Sequence, residues 1–156
     1  MKRLFFALIF FIGFLGADSA TNIKKVVFDL TTSNLTTLEN RMIEGIVFNN
    51  AHYQGIAKKL NTVIVIHGSA YKFFVKDISK TKCKADQKLH SREKEIHEKL
   101  ASLAKNYNVK FLMCGVGMKS REIKKDNILK FVKIVPSAMI ALIDAQNDGY
   151  AFVPID

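Results

Sequence analysis

The sequence predicts a three-layer α/β/α sandwich on a five-stranded parallel sheet, and three observations carry that reading. Short apolar runs of strand length alternate with longer stretches of helical periodicity, the pattern of βαβ units. The run Thr62-Val-Ile-Val-Ile-His67 is almost unbroken apolar, as a strand covered on both faces must be. No repeat or low-complexity linker divides the chain, and 156 residues suffice for one hydrophobic core but hardly for two.

The elements follow in order. Lys25-Val-Val-Phe-Asp-Leu30 reads as the first strand, and Thr36-x-x-Glu39 as a capping box that opens a long helix. Leu38, Met42, Ile46, Tyr53, Ile56 and Leu60 recur along that stretch at near-helical spacing and form its expected buried face. The second strand ends at His67, where Gly68 turns the chain, and a short helix is expected from Ala70 to Asp77. Residues 78–91 are lysine-rich and lack hydrophobic periodicity, so they read as an exposed insertion carrying Cys83. Arg92 to Tyr107 returns to helical spacing through Ile96, Leu100 and Leu103, and Val109 to Cys114 is the third strand. A basic helix is expected over Lys125 to Lys130, a fourth strand over Val132 to Val135, and a helix from Ser137 stopped by Gly149. Tyr150 to Pro154 closes the sheet, with a proline that suits a strand terminus or an edge.

The first 20 residues read as a secretory signal peptide: Lys2 and Arg3 precede an apolar run from Leu4 to Leu15, and small residues through Ala20 follow. That run is short for a bilayer-spanning helix, which needs about 20 apolar residues. Ala17-Asp-Ser19 and Asp18-Ser-Ala20 are both acceptable cleavage boundaries. The remainder, 21–156, is expected to be one domain, periplasmic or secreted, without stable membrane insertion. The formal charge is +10, and losing Lys2, Arg3 and Asp18 would change it by a single unit. Lysines cluster at 76–88, and basic residues again at 119–133. Nucleic-acid binding is disfavoured because no aromatic residues interleave with the basic ones, so a solvated face is the simpler reading.

Cys114 is the residue with the clearest chemistry. It closes a strand and runs directly into Gly115-Val-Gly117-Met-Lys119-Ser-Arg121, at the sheet edge where α/β proteins keep their sites. Gly115 and Gly117 permit positive φ and close backbone approach. Amides after the cysteine, with Lys119 and Arg121, are candidates to bind an anion or to favour a thiolate. An inert core thiol is the competing reading, since free cysteine is commonly buried. His67 is a candidate proton carrier, against a histidine that merely bonds into the strand-end turn. A Cys83–Cys114 disulfide is possible in an exported chain, and as a reversible bond it would make Cys83 a resolving thiol. The sequence has no C-x-x-C, no paired histidine spacing for a metal, no third glycine of a dinucleotide fingerprint and no P-loop. Asp29 has no evident carboxylate partner.

These segments together resemble the DsrE/DsrF-like proteins of sulfur relay. The resemblance rests on the first strand, the ending Val63-Ile-Val-Ile-His67-Gly68, Phe111-Leu-Met-Cys114-Gly-Val-Gly-Met118, Val132-Lys-Ile-Val-Pro136-Ser137 and Asp148-Gly149-Tyr150-Ala-Phe-Val-Pro154. It implies a sheet of order 4-3-2-1-5, homotrimers or hexamers, and a cysteine at Cys114 that carries persulfide sulfur between donor and acceptor thiols without a cofactor. The residues alone leave two other classes open: a non-catalytic oligomeric scaffold and an exported thiol redox protein.

Overall fold

The computed structural model describes residues 22–84 and 87–156; the expected signal peptide lies outside the described residues. Strands Ile23–Leu30 (β1), Lys59–Ile66 (β2), Lys110–Cys114 (β3), Val132–Val135 (β4) and Ala151–Ile155 (β5) form one sheet. Their order is β4-β3-β2-β1-β5, and every pairing is parallel, as the resemblance implies. Four strands are laid down in one direction and the fifth returns to the far side of β1. Right-handed crossovers then place the helices before β2 and β3 on one face and the helix before β5 on the other.

The β1–β2 connection is continuous helix: Leu35–Thr37 (α1), a π-helical stretch Leu38–Glu44, and Gly45–Gly55 (α2). Its start corrects the capping-box expectation. Asn34 is the N-cap, its side chain accepting from the Thr36 and Thr37 amides at 2.8 and 3.1 Å. Glu39 is instead taken by Arg92 in a bidentate pair, both contacts 2.7 Å, and by Lys99 at 2.9 Å. This ties the π-helical stretch to the long helix Gln87–Asn106 (α3), whose Ile96, Leu100 and Leu103 are buried as expected. Leu38, Met42 and Ile46 are fully buried. Ile56 is half exposed, because the helix has ended at Gly55, and Leu60 already belongs to β2.

Two further expectations are corrected. Ala70–Phe73 is a 3-10 turn, after which Val75 makes an antiparallel bridge to Ile128. That bridge also explains why no basic helix forms. Asn127 donates to the Asp77 carbonyl at 2.8 Å and accepts from its amide at 3.0 Å, which holds the chain extended beyond a short turn at Lys125–Asn127. Gly115–Ser120, expected as a turn, is a short helix (α4), and Ala138–Asn147 (α5) begins at the N-cap Ser137. Residues 78–84 are not a free insertion: Cys83 packs on the core, and the Lys82 amide donates to the Arg121 carbonyl at 2.8 Å.

α5 inverts the usual helix pattern. Its buried residues are Ala138, Ala141 and Ala145, while Met139, Ile140 and Ile143 are 72%, 49% and 49% exposed. Alanines let the helix lie close to the sheet; the large apolar side chains face outward. Among the described residues no helix is long and apolar enough to cross a membrane.

Candidate functional site at the ends of the central strands

In parallel strands, residues in register share a face, so Asp29, Val65 and Leu112 lie in one row across β1, β2 and β3. Leu112 lies beside Ile140 and Ala141 of α5, which identifies the face. Two residues further on, the same face carries His67 and Cys114. β2 and β3 stay in register to Ile66 and Met113, so His67 and Cys114 are the next residues on neighbouring chains.

Cys114 is 7% exposed and caps α4 with extended backbone. Burial pushes its thiol up. The Gly117, Ala138 and Val116 amides, with the neighbouring Tyr71, outweigh that penalty and hold it below the ordinary thiol range. Two of these amides lie in the first turn of α4 and one in the first turn of α5. Cys114 therefore lies at the start of α4 with the start of α5 contributing, surroundings that favour a thiolate.

The glycines make that convergence possible by close approach. Neither Gly115 nor Gly117 has positive φ; among the described glycines only Gly68 and Gly149 do, which corrects that part of the expectation. A Cβ on Gly115 would stand 3.0 Å from the Val135 carbonyl oxygen, so glycine lets α4 abut the corner that leads into α5. A Cβ on Gly117 would fall 2.1 Å from Tyr71 Oη. Tyr71 is fully buried and donates to the Cys114 carbonyl at 2.7 Å. Burial, and then its bond to Cys114, push the phenol well above its usual range, so it remains a neutral donor.

Of the four residues expected to bind an anion, only Gly117 supplies an amide to the sulfur, and Gly115 acts through packing. Arg121 is displaced from the thiol: its guanidinium stacks 4.7 Å from the Tyr71 ring centroid and donates to the Gly117 carbonyl at 3.3 Å. Lys119 is exposed and is not among the groups that shift the thiol. His67 does not bond the sulfur with the nitrogen described; its Nε2 lies 2.5 Å from Asp29 Oδ1. The Asp29–His67 pair and Tyr71 escaped the sequence reading. A carboxylate inside the apolar run Val26-Val-Phe-Asp29-Leu30 was a usable signal, because such a group must find a partner when covered. Tyr71 gave none, since a 3-10 turn leaves no periodic mark. Among the described residues no group of three or more His, Cys, Asp or Glu could hold a metal ion, and both cysteines are free thiols.

The sequence model of the DsrE/DsrF-like family matches residues 25–155. An uncharacterized protein of Aquifex aeolicus (strain VF5) is 31% identical over 131 residues, covering 83% of this chain and 55% of its own length; the chain thus spans about half of that relative. Among solved structures, MTH1491 of Methanobacterium thermoautotrophicum, a protein of unknown function, superposes with a TM-score of 0.60 at 16% identity. The match covers 84% of this chain and 98% of that one, and it shows a shared fold.

Proposed function

This chain belongs to the DsrE/DsrF-like family, and on that premise we propose that it is a sulfur carrier that holds persulfide sulfur on Cys114. The observation that carries the reading is the place of Cys114 at a strand end and the start of α4, where the Gly117, Ala138 and Val116 amides hold its thiol below the ordinary range. The thiolate, not the thiol, is the nucleophile in sulfur exchange, and this arrangement favours the thiolate despite its burial.

In the proposed cycle the Cys114 thiolate attacks the outer sulfur of a donor persulfide R–S–SH. A new S–S bond forms on Cys114 while the donor's S–S bond breaks, and RS⁻ leaves. The acceptor thiolate then attacks the outer sulfur of Cys114–S–SH, and the Cys114 thiolate is the leaving group. Neither step changes the number of electrons or requires a further reagent. The same donors that stabilise the first thiolate stabilise it again as leaving group, which makes the cycle reversible. His67, held by Asp29 at the end of the neighbouring strand, is the candidate to move the persulfide proton.

The reading extends to assembly and location. The outward Met139, Ile140 and Ile143 of α5 support a homotrimer or hexamer, since a second copy is the simplest cover for a helix that is apolar on both sides. The charged start, apolar run and small-residue boundary of residues 1–20 support export to a periplasm or to the medium.

The test is polysulfide treatment of the reduced protein followed by intact-mass measurement. A gain of one sulfur atom that disappears in Cys114→Ser and persists in Cys83→Ser supports the reading. Loading that persists in Cys114→Ser, or none at all, overturns it.

A further inference from the structure

A second site lies beside the thiol, where the loops after β1 and β2, the 78–84 segment and the end of α4 enclose a cavity of ≈ 500 Å³. Lys72, Lys82, Lys84 and Arg121 line it together with Ser33, Ser69 and Cys83, and among the described residues no carboxylate is part of the lining. Lys82 is ion-paired with Glu122 at 2.5 Å, but both side chains are largely exposed, so the pair neutralises the site weakly. Arg121 is fixed by its stack on Tyr71 and its bond to the Gly117 carbonyl, and it meets no acid among the described residues. Lys84 and Arg121 on one concave surface, with the weakly neutralised Lys82 beside them, create a potential that scattered surface lysines do not, because low-dielectric walls focus the field.

The hydroxyls give the site geometry as well as charge. Ser69 follows Gly68, whose φ of 60° lets the loop fold back so that the Ser69 amide donates to the Thr31 carbonyl at 3.0 Å. A Cβ on Gly68 would stand 3.0 Å from the Thr31 side chain, so the β1 and β2 loops close together only with glycine there. Ser33 and Ser69 are thereby brought to one cavity, and neither hydroxyl is engaged in a hydrogen bond among the described residues.

From this we infer that the cavity is a binding site for a dianionic tetrahedral oxyanion, either a free inorganic ion or the terminal group of a larger molecule. Lysines and an arginine supply charge that favours a dianion over a monovalent ion such as nitrate, and the serines donate to oxygens that a spherical anion does not offer. The inference does not rest on the sulfur-carrier reading: an anion can bind here whether or not Cys114 carries sulfur, and the assays are separate.

The experiment is calorimetric titration of the full chain at fixed ionic strength with sulfate, phosphate, nitrate and glycerol 3-phosphate. Saturable binding of the dianions with at least tenfold preference over nitrate is expected. Tighter binding of the phosphomonoester than of inorganic phosphate assigns the site to a larger ligand, and equal or weaker binding assigns it to the free ion. Lys84→Glu should weaken the dianions tenfold or more. Lys130→Glu makes the same charge change on an exposed residue outside this cavity and should leave them within twofold. Absence of saturable dianion binding, or equal losses in the two variants, overturns the inference.

Discussion

Substituting Gly117 with alanine probes the close approach on which the site depends. The added Cβ would lie 2.1 Å from Tyr71 Oη, 2.7 Å from Cζ and 2.9 Å from Cε2, all inside any tolerated contact. Tyr71 is fully buried, so it cannot swing away without disturbing the core around it. Overpacking of this kind costs about 1–3 kcal/mol. Loss of the Tyr71 bond to the Cys114 carbonyl adds about 1 kcal/mol. Alanine returns up to ~1 kcal/mol through helix propensity, less in a helix as short as α4. The steric term wins, and a net loss of about 2–3 kcal/mol is expected in urea unfolding. In a Tyr71→Phe background the nearest atom is gone and the same substitution should cost less, so the double-mutant cycle should show coupling. A Gly117→Ala protein as stable as the parent, or a strictly additive cycle, would refute the packing argument.

Asp29→Asn replaces a charge-assisted bond to His67 by a neutral one and should cost about 1 kcal/mol by urea unfolding at neutral pH; no change would mean the pair is structurally idle. Arg92 holds the Glu39 carboxyl below the usual carboxylate range, and Lys99 adds to this, although burial opposes them. A carboxylate depressed in the folded state contributes fully above its unfolded pKa and ceases to contribute as pH falls through its folded one. Arg92→Met should therefore destabilise most near neutrality, with the gap to the parent narrowing in acid; a constant gap would contradict the assignment. Glu95, drawn down to about 2 by Arg92 and Lys99, should extend that narrowing to still lower pH. Ile143→Lys on the outward face of α5 should lower the mass seen by light scattering toward that of one chain, whereas an unchanged oligomer would place the interface elsewhere.

The sheet was legible because its information is local. Apolar runs such as Thr62 to Ile66 record burial on both faces, and the helical stripe Ile96, Leu100, Leu103 records a single buried side. Cys114 at a strand end was legible for the same reason. What surrounds it was not, because its neighbours come from three separate segments: Tyr71 from a 3-10 turn, Val116 and Gly117 from α4, and Ala138 from α5. The glycines pointed to close approach, but not to which atom would be approached. Misplaced elements have tertiary causes. The basic stretch around Lys125 is helical by composition, yet the Asn127 bracket on Asp77 and the Val75–Ile128 bridge hold it extended. Residues 78–84 lack periodicity because only Ile78 and Cys83 pack on the core while Lys82 and Lys84 line a polar cavity, and α5 hides its orientation because both its faces are apolar.

Everything proposed for Cys114 depends on the folded site favouring its thiolate more than the unfolded chain does. The direct measurement is the pH dependence of its alkylation, followed by peptide mass spectrometry in the native protein and in the same protein unfolded by urea. The amides of two helix starts, with Tyr71 nearby, oppose burial and prevail, so the native Cys114 should reach half of its limiting reactivity at a lower pH than the unfolded one. A native midpoint at or above the unfolded midpoint would mean that burial wins, leaving Cys114 an inert core thiol.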